Sequence, residues 1–351
     1  MAGLLFERYP GLVHCIDRLA LADLPTPVER HVLVIPAGQR QVFVKRDDLT
    51  SLRYGGNKVR KLEFLLWRAR QKGATRIVTF GAVGSHHALA TAIHARAKGF
   101  DCTCFLAHQE PVAGIAKTLN MHRRVGTTLV PWRGGIDDAL RACSPARDEK
   151  RYFVPLGGSS WLGTLGHVEA AFEFDAQCRA ANLPCPSRLY VANGTMATAA
   201  GLALGLAAAG LPTVVHAVRV ADNRFSSPEA LTRLLQKTAK LLNRLDPAFD
   251  SRIADRVRIE WRDEFFAGGY AIADRRTIDA VRLAREQTGL QLEGTYTGKA
   301  FAALLHDLAA SAGGDGDWLF WNTHSSAPLP VDAMRPADAG DLPQEFLRYY
   351  D

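Results

Sequence analysis

The sequence lacks several patterns that mark particular classes of protein. Its 351 residues include six cysteines but no CxxC pair, which favours ordinary buried thiols over a zinc site or a disulfide framework. No basic tract is interleaved with aromatic residues, although Lys and Arg outnumber Asp and Glu by 43 to 36, so no nucleic-acid partner is predicted. Repeats and low-complexity segments are also lacking. With 47% hydrophobic and 23% charged residues, the composition is typical of a globular protein.

Uninterrupted apolar runs are equally scarce. The N-terminus reaches Glu7 and Arg8 before any long apolar stretch, which disfavours a signal peptide. Residues 189–218 contain no Asp, Glu, Lys or Arg, but glycine, proline and polar residues interrupt them. That segment is better explained as a strand, a glycine turn, a buried helix and a second strand than as a membrane span. No membrane partner is predicted, and a reducing cytoplasm is the expected location.

Strand and helix patterns alternate along the chain, which predicts an α/β fold. A chain of 351 residues is long for a single hydrophobic core and suits two lobes. A helix start is clear at Ser227-Pro228-Glu229, with a capping serine followed by proline and an acid. Strands are predicted at 41–45, 76–80, 102–107, 188–192 and 318–321, helices at 58–70, 87–98, 198–209, 277–288 and 299–310, a turn at 312–317 and a surface tail after Pro328.

The first segment that suggests chemistry is Gly55-Gly56-Asn57-Lys58, which leads into the helix predicted from residue 58. Paired glycines permit a tight turn and a close approach of the backbone. A lysine at a helix entrance, with Arg60 and Lys61 nearby, is expected to have a lowered pKa. The neutral amine is the form that attacks an aldehyde. Taken alone, however, the segment is better explained as a basic helix start on the surface.

The second and third segments each lie between a strand and a helix. Ser85 is expected to cap the helix that follows, where free N–H groups and a hydroxyl can bind a carboxylate; a plain cap is the alternative. His86 and His87 are adjacent and have no acidic companion, so no metal site is predicted. The third segment, Asn193-Gly194-Thr195-Met196-Ala197-Thr198, could hold a phosphate at a helix N-terminus or be only a structural turn.

Together and in order, these segments resemble the family of 1-aminocyclopropane-1-carboxylate deaminase and D-cysteine desulfhydrase. These are pyridoxal-phosphate enzymes of the two-lobed tryptophan-synthase-β fold (fold type II), with open twisted sheets flanked by helices. The resemblance begins at residues 24–27 (LPTP), continues through 45–50 (KRDDLT), GGNK and 154–160 (VPLGGSS), and reaches 296–299 (YTGK). It covers nearly the whole chain and weakens after about Pro328. The GGNK segment is its most specific part.

The resemblance implies a role for individual residues. Lys58 corresponds to the lysine that forms the Schiff base with pyridoxal 5′-phosphate, and its amine would then act as the base that removes the α-proton. Lys61 and the loop 193–198 correspond to the phosphate site, and Thr323 to the partner of the pyridine nitrogen. Ser85, His86, His87, Tyr270 and Tyr296 are expected to face the substrate, with Ser85, Tyr270 and Tyr296 also catalytic and His86 also contacting the cofactor.

The departures from the family pattern concern the surroundings of the cofactor. Thr297 stands where the deaminases have a glutamate, which disfavours opening of a cyclopropane ring. His86 replaces the asparagine that donates to the phenolic oxygen of the cofactor. Near the ring, Asn322-Thr323-His324-Ser325 replaces His-Thr-Gly-Gly, and Arg53 replaces a small or apolar residue. A substrate other than D-cysteine is therefore a serious alternative.

These residues lead to one expected activity and several alternatives. We expect β-elimination from a small amino acid such as D-cysteine, which gives an α-keto acid and ammonia. The alternatives are sulfo-lyase, β-replacement, racemase or 1-aminocyclopropane-1-carboxylate deaminase activity, or a degenerate protein that binds the cofactor without turnover. The resemblance implies a homodimer, with a small domain at 55–170 and a large domain that combines 1–54 with 171–351.

Overall fold

Two β-sheets with helices between the strands organise the chain. The computed structural model describes residues 3–112, 114–133, 149–311, 317–327 and 342–350. Within these ranges the structure is a mixed α/β fold, as the sequence predicts. No helix in the described ranges is long and apolar enough to cross a membrane.

The larger sheet has six strands in the order β1-β2-β10-β7-β8-β9. Strands β1 and β2 pair antiparallel, and the remaining neighbours pair in parallel. The parallel strands are short and mostly buried, because helices cover such sheets on both faces. The strands are β1 (Val28–Ile35), β2 (Gly38–Lys45), β7 (Arg188–Asn193), β8 (Val214–Arg219), β9 (Ile259–Arg262) and β10 (Trp318–Trp321).

The smaller sheet has four parallel strands in the order β5-β4-β3-β6. They are β3 (Arg76–Ala82), β4 (Asp101–Ala107), β5 (Thr128–Pro131) and β6 (Arg151–Phe153). All four belong to the segment predicted as the small domain, and the six strands of the larger sheet lie outside it. The domain boundaries themselves, at residues 54 and 170, stay a prediction.

The helices connect the strands and carry most of the residues of interest. Those described are α1 (Leu4–Arg8), α2 (Lys58–Gln71), α3 (His86–Ala97), α4 (Ile115–Arg124), α5 (Trp161–Ala180), α6 (Ala197–Ala208), α7 (Pro228–Leu245), α8 (Arg275–Thr288) and α9 (Thr297–Ala310). Side-chain caps open several of them, as expected for helix starts. Ser85 and Ser227 both accept a hydrogen bond from the backbone three residues later, at Ala88 N and Ala230 N.

Each predicted strand and helix is present, with ends that differ by at most three residues. The sequence did not reveal the 20-residue helix α5, because this helix is buried nearly all round and so shows no apolar stripe. It also contains Gly163 and Gly166, where an added Cβ would lie 2.1 Å from Gly158 O and 2.2 Å from Arg60 O. These glycines weaken the helical signal, but Gly166 allows α5 to approach α2 closely, and Gly163 makes room for the turn at Gly158.

The predictions for the cysteines and the C-terminal tail need correction. Cys102, Cys104 and Cys178 are buried, and the first two share one side of β4 with their sulfurs 3.9 Å apart. Cys15 and Cys185 are exposed, because they lie outside the strands and long helices, and Cys143 lies outside the described residues. The tail does not run wholly over the surface, since Phe346 is fully buried. The turn at 312–316 and the tail at 328–341 fall outside the described residues.

Candidate active site

A cavity of about 220 Å³ opens at the carboxyl ends of β3, β7 and β10, where ligands collect in open α/β sheets. It gathers segments that are more than 200 residues apart in sequence. The predicted site residues that line it are Lys58, Lys61, Ser85, His86, His87, Asn193, Gly194, Thr195, Met196, Thr198, Tyr270, Tyr296 and Thr323. Ala197 does not line the cavity; it is the buried first residue of α6.

Lys58 begins helix α2, and its amine lies inside the cavity. Its Nζ donates a hydrogen bond to Asn57 Oδ1 at 2.9 Å, and Asn57 in turn donates from Nδ2 to Thr198 Oγ1 at 2.8 Å. Burial lowers the pKa of Lys58 to about 8, and the Glu293 carboxylate opposes this shift. The lowered pKa of Lys58 agrees with the prediction, but its cause is burial and not the nearby cations. Arg60 is turned away from Lys58 towards carboxylates.

Lys61 lies one turn further along α2, on the same side as Lys58. Its Nζ donates to the carbonyl oxygen of Gly157 at 3.1 Å. Burial, with a smaller effect of the neighbouring Lys58, lowers the pKa of Lys61 well below its ordinary value. The cavity therefore holds two amines, and no carboxylate in the described residues forms an ion pair with either of them. Such a pair suits a ligand that brings its own negative charge.

The loop from Asn193 to Met196 joins β7 to the N-terminus of α6 and forms one wall of the cavity. Met196 has a left-handed φ of 71°, and this turns the chain sharply into the helix. Gly157 approaches this loop so closely that an added Cβ would lie 1.9 Å from Thr195 Oγ1. Thr195 Oγ1 accepts a hydrogen bond from Ser159 Oγ at 2.7 Å. The helix N-terminus, with Lys61 beside Gly157, forms a cradle for an anion.

Ser85 and His86 bring the start of α3 to the cavity. Ser85 Oγ accepts from Ala88 N at 3.2 Å, so the predicted cap is present. His86 Nδ1 lies 2.7 Å from the hydroxyl of Tyr54, and its ring meets the His324 ring edge-on at 4.9 Å between centroids. Burial and the neighbouring His324 lower the pKa of His86 to about 4. This histidine is therefore neutral at physiological pH.

His87 lies next to His86 but is tied into the protein. Its Nε2 lies 3.0 Å from Thr79 Oγ1 on β3, and the side chain is only 5% exposed. Burial lowers its pKa well below the ordinary value, and Lys58 and Lys61 reinforce the shift. His87 lines the cavity as a neutral residue anchored to the sheet.

Two tyrosines and a glutamate form a further wall. The hydroxyls of Tyr270 and Tyr296 are 2.5 Å apart, and Lys58 Nζ lies 6.0 Å from the Tyr296 ring centroid. Burial raises the pKa of Tyr270 to about 12 and that of Tyr296 further, so both phenols stay protonated. Glu293 accepts hydrogen bonds from the backbone N–H groups of Thr295, Tyr296 and Thr297, and it thereby fixes the start of α9.

The segment after β10 completes the cavity. Thr323 is 9% exposed, and its carbonyl accepts a hydrogen bond from Asn57 N at 3.2 Å. Gly56 has a φ of 90°, and an added Cβ there would lie 2.8 Å from the same carbonyl. The GGNK turn therefore needs glycine because the segment around Thr323 packs directly on it.

Sequence reasoning missed several residues of this site. Tyr54 and Glu293 line the cavity without belonging to any motif that the sequence singled out, and Trp132 and His108 do the same. Only Glu293 had a signal that could have revealed it, because an acid shortly before a helix start is a capping pattern. Nothing in the sequence brings Tyr54 to His86, which is 32 residues away.

The cavity fits pyridoxal phosphate in its chemistry. Both side-chain polar atoms of Asn193, which lines the cavity, are buried without a hydrogen-bond partner in the described residues. Buried polar atoms are nearly always paired, so these atoms indicate that a polar ligand belongs beside them. The amine of Lys58 would hold the aldehyde carbon, the cradle of Lys61 and the loop at 193–198 would hold the phosphate, and Thr323 would face the ring.

Comparison with known proteins agrees with this chemistry. The family model described as "Pyridoxal-phosphate dependent enzyme" matches residues 19–323. The nocardicin C-9′ epimerase of Nocardia uniformis subsp. tsuyamanensis is 36% identical over 348 residues, which cover 96% of this chain and 99% of the relative. The D-cysteine desulfhydrase of Klebsiella pneumoniae subsp. pneumoniae is 34% identical over 324 residues, with 89% and 95% covered.

A solved structure shows a similar fold. The crystal structure of an ACC deaminase homologue superimposes with a TM-score of 0.76 at 29% identity and covers 93% of this chain and 96% of that one. The agreement in architecture extends over both sheets, since the match spans nearly the whole chain.

Proposed function

Because the chain belongs to the family of pyridoxal-phosphate-dependent enzymes, we propose that it catalyses β-elimination from a small amino acid such as D-cysteine. The products are an α-keto acid, ammonia and, from cysteine, hydrogen sulfide. One observation carries the proposal. The amine of Lys58, whose pKa is lowered, and the protonated phenols of Tyr270 and Tyr296 line the same cavity. A base and an acid are thus available in the same cavity.

Lys58 has two tasks in this proposal. Bound pyridoxal phosphate supplies an electron-withdrawing ring that acidifies the Cα–H bond of an attached amino acid. The Lys58 amine would anchor the group and would accept the proton from the substrate Cα. Its pKa of about 8 lies close to physiological pH, where a general base is most effective.

The two phenols complete the elimination. When the Cα–H bond breaks, the electron pair forms the Cα–Cβ double bond, and the Cβ–S bond breaks. The hydroxyl pair of Tyr270 and Tyr296, 2.5 Å apart, donates a proton to the leaving sulfur. Water then hydrolyses the released unsaturated amine to the keto acid and ammonia.

The remaining residues hold and orient the ligands. The N-terminus of α3 with Ser85 would receive the substrate carboxylate, and His86 would take the place of the family asparagine towards the phenolic oxygen of the cofactor. Thr323 would offer a neutral hydroxyl to the ring nitrogen. A neutral partner would keep the ring a moderate electron sink, which suits elimination more than transamination.

Epimerisation at Cα is the second candidate, and one observation favours it. The epimerase relative is 36% identical and matches over 99% of its own length. Epimerisation needs the same removal of the α-proton but returns a proton to the opposite face and leaves Cβ intact. The residues that line the cavity are compatible with this first step in both reactions.

A single assay separates the candidates. The enzyme loaded with cofactor is incubated in D₂O with D- and L-amino acids with and without a leaving group at Cβ, and the products are followed by proton NMR. Elimination gives keto acid and ammonia only from substrates with a leaving group. Epimerisation gives the antipode with deuterium at Cα. Absence of both, with the cofactor firmly bound, would leave a binding protein and reject the proposal.

The homodimer and the cytoplasmic location stay proposals that the family resemblance supports. Light scattering coupled to size-exclusion chromatography measures the mass directly, and a mass close to that of one 38.4 kDa chain would contradict the homodimer. Fractionation of the native cells would test the location.

A further inference from the structure

Helix α3 holds Tyr54 at two points. The Tyr54 hydroxyl lies 2.7 Å from His86 Nδ1 at the start of the helix. The Tyr54 backbone carbonyl lies 2.9 Å from Nε2 of His94, two turns further along the same helix. Tyr54 is 5% exposed and His94 is 2% exposed. Tyr54 is therefore fixed at both its backbone and its side chain, four residues before Lys58.

The direction of the bond between Tyr54 and His86 follows from the hydrogen-bond inventory. A phenol has one proton to donate, and leaving it unpaired in a buried position is costly. Among the described residues, His86 Nδ1 is the one acceptor within hydrogen-bond distance of this hydroxyl. If Nδ1 carried a proton, the phenol proton would have no acceptor there. Nδ1 therefore accepts from Tyr54, and the single ring proton of neutral His86 lies on Nε2.

The surroundings of His86 agree with a neutral ring that donates through Nε2. Its ring is flanked by the rings of His324 and Tyr296, and Glu293 and Lys58 are the charged groups close enough to affect it. Burial outweighs the pull of Glu293 and keeps the pKa of His86 low. Burial also raises the pKa of Tyr54 above its ordinary value, so the phenol keeps its proton. No described residue is within hydrogen-bond distance of His86 Nε2, and His86 lines the cavity.

We propose that Tyr54 is a positioning residue that fixes His86 as the neutral Nε2–H tautomer, so that Nε2–H donates to a negatively charged oxygen of the ligand in the cavity. The tautomer follows from the residues of the chain alone. The identity of the oxygen rests on the proposed function, and it has two sources, the phenolic oxygen of the cofactor and the carboxylate of the substrate. His94 supports the arrangement by holding the Tyr54 backbone.

The tautomer is measured directly by nitrogen-15 NMR of histidine-labelled enzyme loaded with cofactor. His86→Asn identifies the His86 signals by their disappearance. We expect Nδ1 to show the shift of an unprotonated ring nitrogen and Nε2 that of a protonated one, unchanged between about pH 6 and 8 because the histidine stays neutral. A proton on Nδ1 would overturn the proposal whatever reaction the enzyme catalyses, so its failure is distinct from a failure of the proposed function.

The role of Tyr54 is tested by a double-mutant cycle with Tyr54→Phe, His86→Asn and the double variant. Loss of one hydrogen bond is expected to weaken ligand binding by about threefold to tenfold. Since Tyr54 acts through His86, the Tyr54→Phe effect should vanish when His86 is already asparagine. An equal loss in both backgrounds would show a merely structural role and overturn the proposal.

Two readouts in the same variants identify the oxygen. If His86 donates to the cofactor, Tyr54→Phe should shift the visible absorbance of the bound cofactor before any substrate is added. If His86 donates to the substrate carboxylate, Tyr54→Phe should leave the spectrum unchanged and raise KM. Tyr190→Phe is the matched control, because this buried tyrosine donates to Asp307 at 2.6 Å outside the cavity. It should move neither readout, and a Tyr54→Phe variant indistinguishable from this control in both would contradict the proposal.

Discussion

The first turn of helix α2 presents two contrasting regions, although its basic residues are nearly adjacent in sequence. On one side, Arg60 lies between Asp47 and Glu173, with ion-pair distances of 2.8 and 3.0 Å. On the other, Lys58 and Lys61 face the cavity and bond only to an amide and a carbonyl oxygen. All three polar groups are surrounded by protein. Among the residues that the structure describes, Arg60 has carboxylate partners and the two lysines have none.

The difference shows how a counter-ion decides the charge of a buried group. Burial opposes the charge of both residue types, but the two carboxylates more than offset it for Arg60, and its pKa is raised. Lys58 and Lys61 lack that compensation, and their pKa values fall. The side of α2 with Arg60 anchors the helix, and the side with Lys58 and Lys61 supplies amines that can lose a proton. This agrees with the general cost of burying an unpaired charge.

The largest expected effect comes from replacing Lys58. Lys58→Ala should abolish the visible absorbance of the bound cofactor and reduce turnover by at least about a thousandfold, because anchor and base are lost together. Lys61→Ala should keep the absorbance and weaken retention of the cofactor on dialysis. An absorbance scan of both purified variants tests this. The reverse pattern would show that the Schiff-base lysine is wrongly assigned.

For Arg60 the expected effect is on the stability of the fold. Arg60→Met should lower the free energy of unfolding by about 3–5 kcal/mol, because it leaves Asp47 and Glu173 buried with too little positive charge. Urea unfolding of the cofactor-free proteins measures it. Arg275→Met is the control, since Arg275 pairs with Asp279 at the surface and this variant should unfold close to the wild type. A similar midpoint for both variants would show that the carboxylates around Arg60 do not depend on its charge.

A smaller effect concerns the substrate. Thr297 does not line the cavity but donates from Oγ1 to Glu293 at 3.1 Å, and the oxygens of Glu293 are occupied by the start of α9. Glu293 is therefore occupied, and Thr297 supplies no carboxylate at the position where the deaminases have one. The kcat/KM for 1-aminocyclopropane-1-carboxylate should be at least about tenfold below that for D-cysteine. Comparable values in steady-state assays would refute this inference.

The smallest effect is on the pH dependence of cofactor uptake. Only the neutral amine reacts with the aldehyde, and the neutral fraction of Lys58 grows as pH rises through its pKa of about 8. The uptake rate of cofactor-free protein should therefore rise and level off near pH 9, well below the range of an ordinary lysine. Stopped-flow absorbance measures the rate, and Lys61→Met should keep the inflection. A rate still rising steeply at pH 10 would indicate an unperturbed Lys58.

Much of the architecture was predictable because its signals are local. Helix α2 has an apolar periodicity, and strand β10 is a short apolar run after a break, so both were predicted close to their observed ends. Helix α5 was not predicted, since its burial on all sides removes the apolar periodicity. Its glycines also weaken the helical signal. Every predicted site residue except Ala197 lines the cavity, while the roles assigned to them stay predictions.

The sequence by itself determined the family, the cofactor and the choice of Lys58 as the candidate Schiff-base lysine. These conclusions depend on which residue types follow one another in GGNK and in the loop at 193–198. Only the tertiary structure decided the charge and orientation of the side chains. The low pKa of Lys58 comes from burial, and the bond between Tyr54 and His86 joins residues 32 positions apart. A pKa and a tautomer depend on what surrounds a group in space, and residue order alone does not specify those surroundings.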